Sequence, residues 1–328
     1  MEFLAERYSR EDGLYGWVHR FAIGNEVDIS TSWNAVANYD KYPFLNLANY
    51  VEEYLRTLRL AEQATKKYYG DSMVLVSTAH YWTGGHPDKR TDGRYPPKYL
   101  YDSINERATY EGNFNWGMAT HSYAVSLGDN NFLYNDPRTN ISGNPLNVSG
   151  DYNACVFITW TNFEITEEYL KQPHMLYKGQ MRRIYSTEAG VSSGTSINAT
   201  EKALNERLQA AGVAYAYYKS VSMDCLDAFI YYRTYDAEGD GSGLNFGVLY
   251  GTGERKLSYE VFKYMDTNRS FEIADQYLTD LRAYRDGVTY GSAARPIPSY
   301  RWIMDMIPSP FDWDAHWDLS KIMVRTAD

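Results

Sequence analysis

Two glutamates stand where apolar runs of the sequence end. Glu26 closes the stretch FAIGNE, which begins at Phe21, and Glu188 lies in the stretch IYSTEAG. A residue in this position points a carboxyl group out of the end of a buried strand, where it can give or accept a proton. The two glutamates are 162 positions apart in the chain. Joint chemistry therefore depends on whether the fold brings them together.

Helical and strand-like segments alternate along the chain, and these elements must position the two glutamates. Apolar residues at helical spacing predict helices over residues 51–69, 97–108 and 200–220. Runs rich in β-forming residues predict five strands, near residues 18–25, 73–79, 117–122, 183–188 and 227–233. Their apolar starts are typical of strands that are covered on both faces. The alternation predicts an α/β fold with parallel strands.

Two α/β architectures fit this alternation, a (β/α)8 barrel and a doubly wound sheet. No glycine-rich phosphate loop follows any of the strands, which disfavours the nucleotide-binding form of the doubly wound sheet. Every predicted strand has its polar residues at its carboxyl end, where (β/α)8 barrels build their sites. Five strands are three fewer than a closed barrel needs. Residues 271–328 are predicted to form a helical, aromatic-rich C-terminal extension.

Composition restricts the classes of partner. The formal net charge of −10 argues against nucleic acid or an anionic membrane surface. No apolar run is long enough to span a membrane, and the first residues indicate an amphipathic helix rather than a signal peptide.

The 32 tyrosines and 8 tryptophans either stack on sugar rings or fill the core with their polar edges at its rim. Cys155 and Cys225 lie in apolar segments, so we expect buried free thiols, which leave the compartment open.

An ordered set of residues on successive predicted strands carries a family resemblance. The set consists of Asn25-Glu26, His121 with Tyr123, and Glu188. It resembles the retaining glycoside hydrolases of the large barrel superfamily. More narrowly, residues 3–267 are similar to a bacterial family of glycosidase-like barrels, the domain of unknown function DUF5722. The similar segments are FLAERYSREDGLYG, IGNEVD, ATHSYAVSL, STEAG, QAAGVAYAYYKS, DAFIYYRTYD and SYEVFKYMD.

The resemblance implies an incomplete (β/α)8 barrel. In such hydrolases the acid/base glutamate ends the fourth strand and the nucleophile ends the seventh, so IGNEVD would end strand four. The first three barrel strands would then be absent. We expect residues 1–270 to form a partial glycoside hydrolase-like domain, followed by the extension at residues 271–328. A five-stranded sheet exposes two edges, which proteins avoid, so we expect a homodimer or a second chain that completes the barrel.

The resemblance also implies hydrolysis of a β-linked polysaccharide or oligosaccharide with retention of configuration. It assigns Glu188 as the nucleophile and Glu26 as the acid/base, with Asn25 binding a sugar hydroxyl. His121 and Tyr123 are expected beside Glu188, where they would hold it in position and ionised. No metal or other cofactor is implied. The further substrate-binding candidates are Trp33, His80, Trp82, Tyr232 and Arg233.

Two other functions stay open. A metal-dependent hydrolase could use His80, His86 and His121 with an acidic residue, but the spacing HYWTGGH lacks the helical i, i+4 pair of an HExxH motif. A catalytically inactive carbohydrate-binding remnant is the stronger alternative. A cleft without three strands lacks one wall, and catalysis depends on placement within about an ångström. The sugar, the linkage and the choice of exo or endo action do not follow from the sequence.

Overall fold

The computed structural model describes residues 1–29, 47–84, 95–124, 127, 151–237 and 244–285. Trp33, His86 and most of the predicted C-terminal extension lie outside these residues. The chain divides into two compact units. Within the described residues, the first unit holds Met1–His121 and Glu168–Tyr185, and the second holds Ser122–Glu167 and the residues from Ser186 onward.

Five strands occur in the described part of the chain and form one sheet in the order β1-β2-β3-β4-β5. This is the sequential order of neighbouring strands in a (β/α)8 barrel. The predicted fold class, α/β with about five strands of an incomplete barrel, is confirmed. Each strand lies within two residues of its predicted bounds. The strands are β1 (Arg20–Ile23), β2 (Met73–Thr78), β3 (Trp116–Ser122), β4 (Ile184–Ala189) and β5 (Leu226–Tyr231).

Helices separate these strands, as the alternating pattern predicts. The three predicted helices correspond to α2, α3 and α5. The described helices are α1 (Glu2–Tyr8), α2 (Leu47–Lys66), α3 (Pro97–Glu111), α4 (Ile165–Leu170), α5 (Ala199–Val221), α6 (Leu257–Tyr264) and α7 (Ser270–Arg285). None of them combines the length and the apolar character needed to cross a bilayer. The predicted boundary after residue 270 stays a prediction, although α7 begins there.

In the first unit, β1, β2 and β3 pair in parallel. All residues of β2 and β3 are buried, as expected for parallel strands covered on both faces. Gly117 of β3 is a close-packed point of this core. A Cβ on Gly117 would lie 2.8 Å from Leu75 Cδ2 and 2.9 Å from Met73 Sδ, so packing requires glycine here.

Arg182 ties the chain before β4 to the start of β3. Its side chain is 1% exposed and donates to the carbonyl oxygens of Phe114 at 3.0 Å, Trp116 at 3.1 Å and Met175 at 3.1 Å. The guanidinium also lies 4.2 Å from the centroid of the Trp116 ring. A planar group with five donors can satisfy several carbonyls at once, so Arg182 fixes the entry of β3.

In the second unit, α5 is the central helix. Asn198 caps its N-terminus, because the Asn198 Oδ1 accepts from the N–H groups of Thr200 and Glu201, both at 3.1 Å. The helix is buried along most of its C-terminal half, where β5, α6 and α7 pack against it. Even Lys219 is 0% exposed, and its ammonium pairs with Glu164.

Both cysteines belong to the second unit and are free thiols with no exposed surface, as predicted. Asn162 Nδ2 lies 2.9 Å from the Cys155 sulfur. Burial raises the pKa of the Cys155 thiol to about 12, although the hydrogen bond from Asn162 opposes this rise. A thiol with such a pKa is a poor nucleophile at neutral pH.

Candidate active site

Glu26 lies on the turn that follows Ile23, the last residue of β1. Its φ is +44°, a left-handed conformation that costs a non-glycine residue about 1–3 kcal/mol. Among the described residues, Lys178 is the other non-glycine residue with positive φ. The N–H of Glu26 donates to Ser77 Oγ at 3.2 Å, and that of Val27 donates to the Ser77 carbonyl at 2.9 Å. Neighbouring strand β2 therefore holds the strained turn in place.

Two tyrosines of α2 hold the same turn. The hydroxyl of Tyr54 donates to the carbonyl oxygen of Ile23 at 2.6 Å, and the hydroxyl of Tyr50 donates to that of Val27. Both rings are buried. With both carbonyls satisfied by fixed side chains, the backbone around Glu26 has little freedom, and the direction of its side chain is set in advance.

The carboxylate of Glu26 is oriented by His121, which is 2% exposed. The imidazole Nδ1 lies 2.9 Å from Glu26 Oε1, and Nε2 lies 3.4 Å from Ser77 Oγ. All these groups are satisfied when Nδ1–H donates to the carboxylate and Nε2 accepts from the Ser77 hydroxyl. Ser77 thus contacts the backbone of Glu26 directly and its carboxylate through His121. These hydrogen bonds join His121 to Glu26 and Ser77, and its predicted place beside Glu188 stays a prediction.

Asp28 is a second carboxyl group in this turn, and it is 0% exposed. Its Oδ1 accepts from the N–H of Ala79 at 2.9 Å, while Oδ2 has no hydrogen-bond partner among the described residues. Burial raises the pKa of Asp28 to about 7, the N–H of Ala79 opposes the rise, and the charge of Glu26 adds to it. Asp28, two residues from Glu26 in the chain, therefore takes up a proton as the pH falls through about 7.

Glu188 lies in β4, within the second unit, and is half-buried. The hydroxyl of Tyr123 donates to Glu188 Oε2 at 2.9 Å, so the structure brings together these two predicted site residues. A hydrogen-bond donor on one oxygen restricts the orientation of the carboxylate.

An aromatic cluster holds Tyr123 in place. Its ring stacks on Phe246, with centroids 5.2 Å apart and planes at 28°, and meets Tyr232 edge-on at 6.2 Å. Gly190 follows β4, and a Cβ there would lie 3.1 Å from the Phe246 ring and 3.3 Å from the Tyr123 ring. A side chain at this position would press the rings apart. The glycine of STEAG therefore serves the packing around Tyr123.

The sequence predicted that Trp82 binds substrate, and its burial in the structure contradicts this prediction. The residue is 1% exposed. Its ring meets the ring of Tyr169 edge-on at 5.1 Å and lies 6.1 Å from that of Tyr101. Side chains from α3 and α4 thus cover the ring, and it presents no face to a ligand.

The other sequence candidates differ in exposure. Asn25 is exposed beside Glu26, and His80 is 8% exposed with its ring 5.2 Å from that of Tyr81. Tyr232 is 38% exposed, and the guanidinium of Arg233 lies 4.8 Å from the centroid of its ring. The roles of these side chains in sugar binding stay predictions.

Sequence reasoning missed Ser77 and Asp28. Both left a signal in the sequence, because Ser77 is a polar residue inside the apolar run MVLVST and Asp28 follows closely in the stretch NEVD. Nothing in either stretch shows that Ser77 faces Glu26 and His121 together. The contacts of Ser77 with Glu26 and of Asp28 with Ala79 form only when the neighbouring strands are packed together.

Comparison with known proteins gives one family and several distant structures. The model of DUF5722, described as a family of unknown function, matches residues 1–282. No curated protein matches the chain.

Three solved structures illustrate the structural similarity. A family 39 glycoside hydrolase from the gut symbiont Bacteroides cellulosilyticus WH2 has a TM-score of 0.46 and 16% identity, over 80% of this chain and 42% of that one. The endo-1,4-beta-xylanase XylE of Penicillium canescens has a TM-score of 0.42 and 10% identity, over 73% and 54%. A monomeric beta-xylosidase from Caulobacter crescentus CB15 has a TM-score of 0.41 and 17% identity, over 80% and 43%.

The chain spans about half the length of these solved proteins. Their TM-scores lie below 0.5, so they carry no argument about its chemistry. The family model, by contrast, covers most of the sequence. This chain therefore belongs to the DUF5722 family.

Proposed function

We propose that this protein is a glycoside hydrolase that cleaves a β-linked polysaccharide or oligosaccharide with retention of anomeric configuration. The observation that carries the proposal is that each strand-end glutamate has its own orienting donor. Glu26 is bound by His121 at 2.9 Å, and Glu188 is bound by Tyr123 at 2.9 Å. Paired carboxylates are the catalytic groups of glycosidases.

Topology supports the pairing. Glu26 follows β1 and Glu188 lies near the end of β4, and the carboxyl ends of parallel barrel strands share one rim, where catalytic residues collect. Retention requires the two carboxyl groups to lie about 5–5.5 Å apart in the working enzyme. The proposal depends on that separation.

The reaction would proceed in two displacements. Glu188 attacks the anomeric carbon, the bond from that carbon to the leaving oxygen breaks, and Glu26 gives its proton to that oxygen. In the second step Glu26 takes a proton from water, the water oxygen attacks the same carbon, and the bond to Glu188 breaks. Asn25, which is exposed beside Glu26, would bind a sugar hydroxyl.

The test compares wild type, Glu188→Gln and Glu26→Gln on a panel of aryl β-glycosides and β-linked oligosaccharides. We expect Glu188→Gln to lower kcat by about 10⁴-fold or more and Glu26→Gln by about 10²–10⁴-fold. The loss at Glu26 should be smaller for aryl leaving groups that need no proton. Glu6→Gln, at an exposed position of α1, is the matched control and should retain wild-type activity.

Three results would overturn parts of the proposal. Wild-type rates in Glu188→Gln would remove Glu188 from the mechanism. A first product of inverted configuration, seen by proton NMR, would exclude retention. Oligosaccharide binding by the wild type without any turnover would support an inactive carbohydrate-binding domain instead of an enzyme.

A further inference from the structure

A cavity of about 420 Å³ lies in the second unit, apart from the groups assigned above. The chain segments that follow β4 and β5 form its walls, together with the first turn of α5. Its volume falls within the range of about 300–1,000 Å³ that is typical of small-molecule sites. The residues that line it include Thr195, Ser196, Lys202, Asp236, Asn245 and Tyr250. We call this cavity the loop pocket.

The buried side chain of Gln209, which is 0% exposed, holds together the chain segments that form the walls of the loop pocket. Its Nε2 donates to the carbonyl oxygens of Val191 at 2.9 Å, Gly247 at 3.1 Å and Asn245 at 3.2 Å. Its Oε1 accepts from the Ser258 hydroxyl at 3.0 Å. One buried amide therefore joins the segment after β4 to the segment after β5. A fully satisfied buried network of this kind makes a site rigid.

A buried ion pair fixes the same walls. Lys256 Nζ is 0% exposed and lies 2.6 Å from Asp236 Oδ2. It also donates to Ser193 Oγ at 2.9 Å. Burial lowers the pKa of Lys256, and the bond to Asp236 opposes this change. Because desolvation offsets much of the attraction in such a pair, its presence is weak evidence for a stabilising role. The contacts of Lys256 with Asp236 and Ser193 do hold the segment after β5 close to the segment after β4.

The groups left at the mouth of the loop pocket suit a hydroxyl-rich ring. Thr195 is exposed and offers a hydroxyl group, whereas the hydroxyl of the half-buried Ser196 already donates to Glu201 Oε2. Lys202 is exposed, with its ammonium 4.5 Å from the centroid of the Tyr250 ring. Ile197, whose side chain is fully exposed, supplies an apolar edge. Donors and acceptors beside an apolar surface match the two kinds of surface that a sugar presents.

The charges around the loop pocket indicate an uncharged sugar. The ammonium of Lys256 is neutralised by Asp236, and the hydroxyl of Ser196 donates to Glu201 Oε2 at 2.6 Å. The chain as a whole carries a net charge of −10, which further disfavours a polyanionic glycan.

The loop pocket is connected to the support of Glu188 through one chain segment. Asn245 lines the pocket and precedes Phe246, which stacks on Tyr123 at 5.2 Å. Tyr123 in turn donates to Glu188. The segment that shapes the pocket therefore also fixes the group that orients the proposed nucleophile.

We propose that the loop pocket binds an uncharged sugar unit of the glycan substrate, remote from the bond that is cleaved. As a substrate site it rests on the proposed hydrolase function. As a carbohydrate-binding site it can be tested without turnover.

The experiment fills the loop pocket with Thr195→Tyr and uses Thr200→Tyr as the matched control. Thr200 is exposed on the first turn of α5. Calorimetric titration measures binding of cellotetraose, xylotetraose and mannotetraose, with trigalacturonate as a charged comparator, in a Glu188→Gln background that prevents consumption of the ligand. We expect Thr195→Tyr to weaken binding of a neutral tetrasaccharide at least tenfold and Thr200→Tyr to change it less than twofold. Lys202→Met, which removes one donor, should weaken binding by several-fold.

A kinetic measurement separates this proposal from the proposed function. In the chain with Glu188 intact, Thr195→Tyr should raise KM for the oligosaccharide about tenfold, and the control Thr200→Tyr should leave both kcat and KM unchanged. The wild type could bind a neutral tetrasaccharide without turnover, and Thr195→Tyr could lose that binding. The loop pocket would then be a carbohydrate-binding site, and the proposed hydrolase function would be wrong.

Three outcomes would overturn the assignment. They are unchanged neutral binding in Thr195→Tyr and Lys202→Met, binding of trigalacturonate alone, and a lack of glycan binding by the parent protein. The thermal unfolding midpoint of each variant shows whether a loss comes from the pocket or from the fold.

Discussion

Glu26 stands on a left-handed residue in a turn beyond β1, whereas Glu188 belongs to the regular strand β4. Polar groups surround Glu26, with His121 on its carboxylate and the buried carboxyl group of Asp28 in the same turn. Glu188 depends instead on Tyr123, whose ring is held by aromatic neighbours. One carboxylate is thus oriented by a strained backbone and a polar network, and the other by aromatic packing.

This difference determines which changes each region should tolerate. The region of Glu26 should respond to pH and to substitutions that alter backbone freedom, because its geometry depends on a titrating neighbour and a positive φ. The region of Glu188 should respond to loss of a single hydroxyl group or of ring volume. Three experiments test this contrast, in order of decreasing expected effect.

The largest effect is expected for Asp28→Asn. In the unfolded chain the pKa of Asp28 is near 3.8, and in the folded protein it is about 7. At a pH between these two pKa values, the folded protein keeps a proton on Asp28 that the unfolded chain has released. The contribution of Asp28 to the free energy of unfolding therefore falls as the pH rises through this range. The difference corresponds to about 4 kcal/mol of unfolding free energy. Urea unfolding at a series of pH values should show this fall in wild type and its loss in Asp28→Asn.

Asp266→Asn, at an exposed position, is the control for Asp28→Asn and should follow the wild-type curve. If the curve for Asp28→Asn runs parallel to that of wild type between pH 4 and pH 8, Asp28 does not titrate in this window. The polar character assigned to the Glu26 region would then be wrong.

An intermediate effect is expected for Tyr123→Phe. This change removes the hydroxyl that donates to Glu188 but keeps the ring stacked on Phe246. A hydrogen bond to a charged group contributes about 1.5–3 kcal/mol, so kcat for glycoside hydrolysis should fall by about 10–100-fold. Tyr110→Phe, where the side chain is 92% exposed, should leave kcat unchanged. Wild-type kcat in Tyr123→Phe would show that packing alone orients Glu188.

The smallest effect is expected from Gly and Ala substitutions at the two glutamates. Glu26→Gly and Glu26→Ala both lose the carboxylate, but only glycine adopts a φ of +44° without strain. Urea unfolding should find Glu26→Gly more stable than Glu26→Ala by about 1 kcal/mol. At Glu188, in a regular strand, the order should reverse, with Ala more stable by about 0.5–1 kcal/mol. The same order at both positions would contradict the difference in backbone strain.

Local pattern was enough to predict the strands and the long helices. Strand β2 is a continuous apolar run that ends at polar residues, and α5 has apolar residues at helical spacing. Both patterns report on burial, which the surrounding elements then provide. The end-of-strand positions of Glu26 and Glu188 could be predicted for the same reason. The expected dimer or completing chain stays a prediction.

Tyr123 beside Glu188 followed from the family resemblance, but the partners of Glu26 could not be predicted, because they come from distant parts of the chain. His121 is 95 positions from Glu26, and Ser77 reaches Glu26 only because β1 and β2 pair in one register. The substrate-binding role predicted for Trp82 was wrong for a related reason, because the burial of its ring depends on Tyr169 of α4, which packs over it. Sequence pattern identifies which end of a strand is polar, but not which side chains cover it.

The inaccessibility of the two native thiols has a practical use. Cys155 and Cys225 are the only cysteines of the chain, and both are sealed in the interior of the second unit. A cysteine introduced at Asn25, which is exposed, would be the single thiol open to a maleimide dye, with no need to remove the native cysteines. A fluorophore at that position would report on ligand entry beside Glu26, although the proposed sugar contact of the Asn25 amide would be lost.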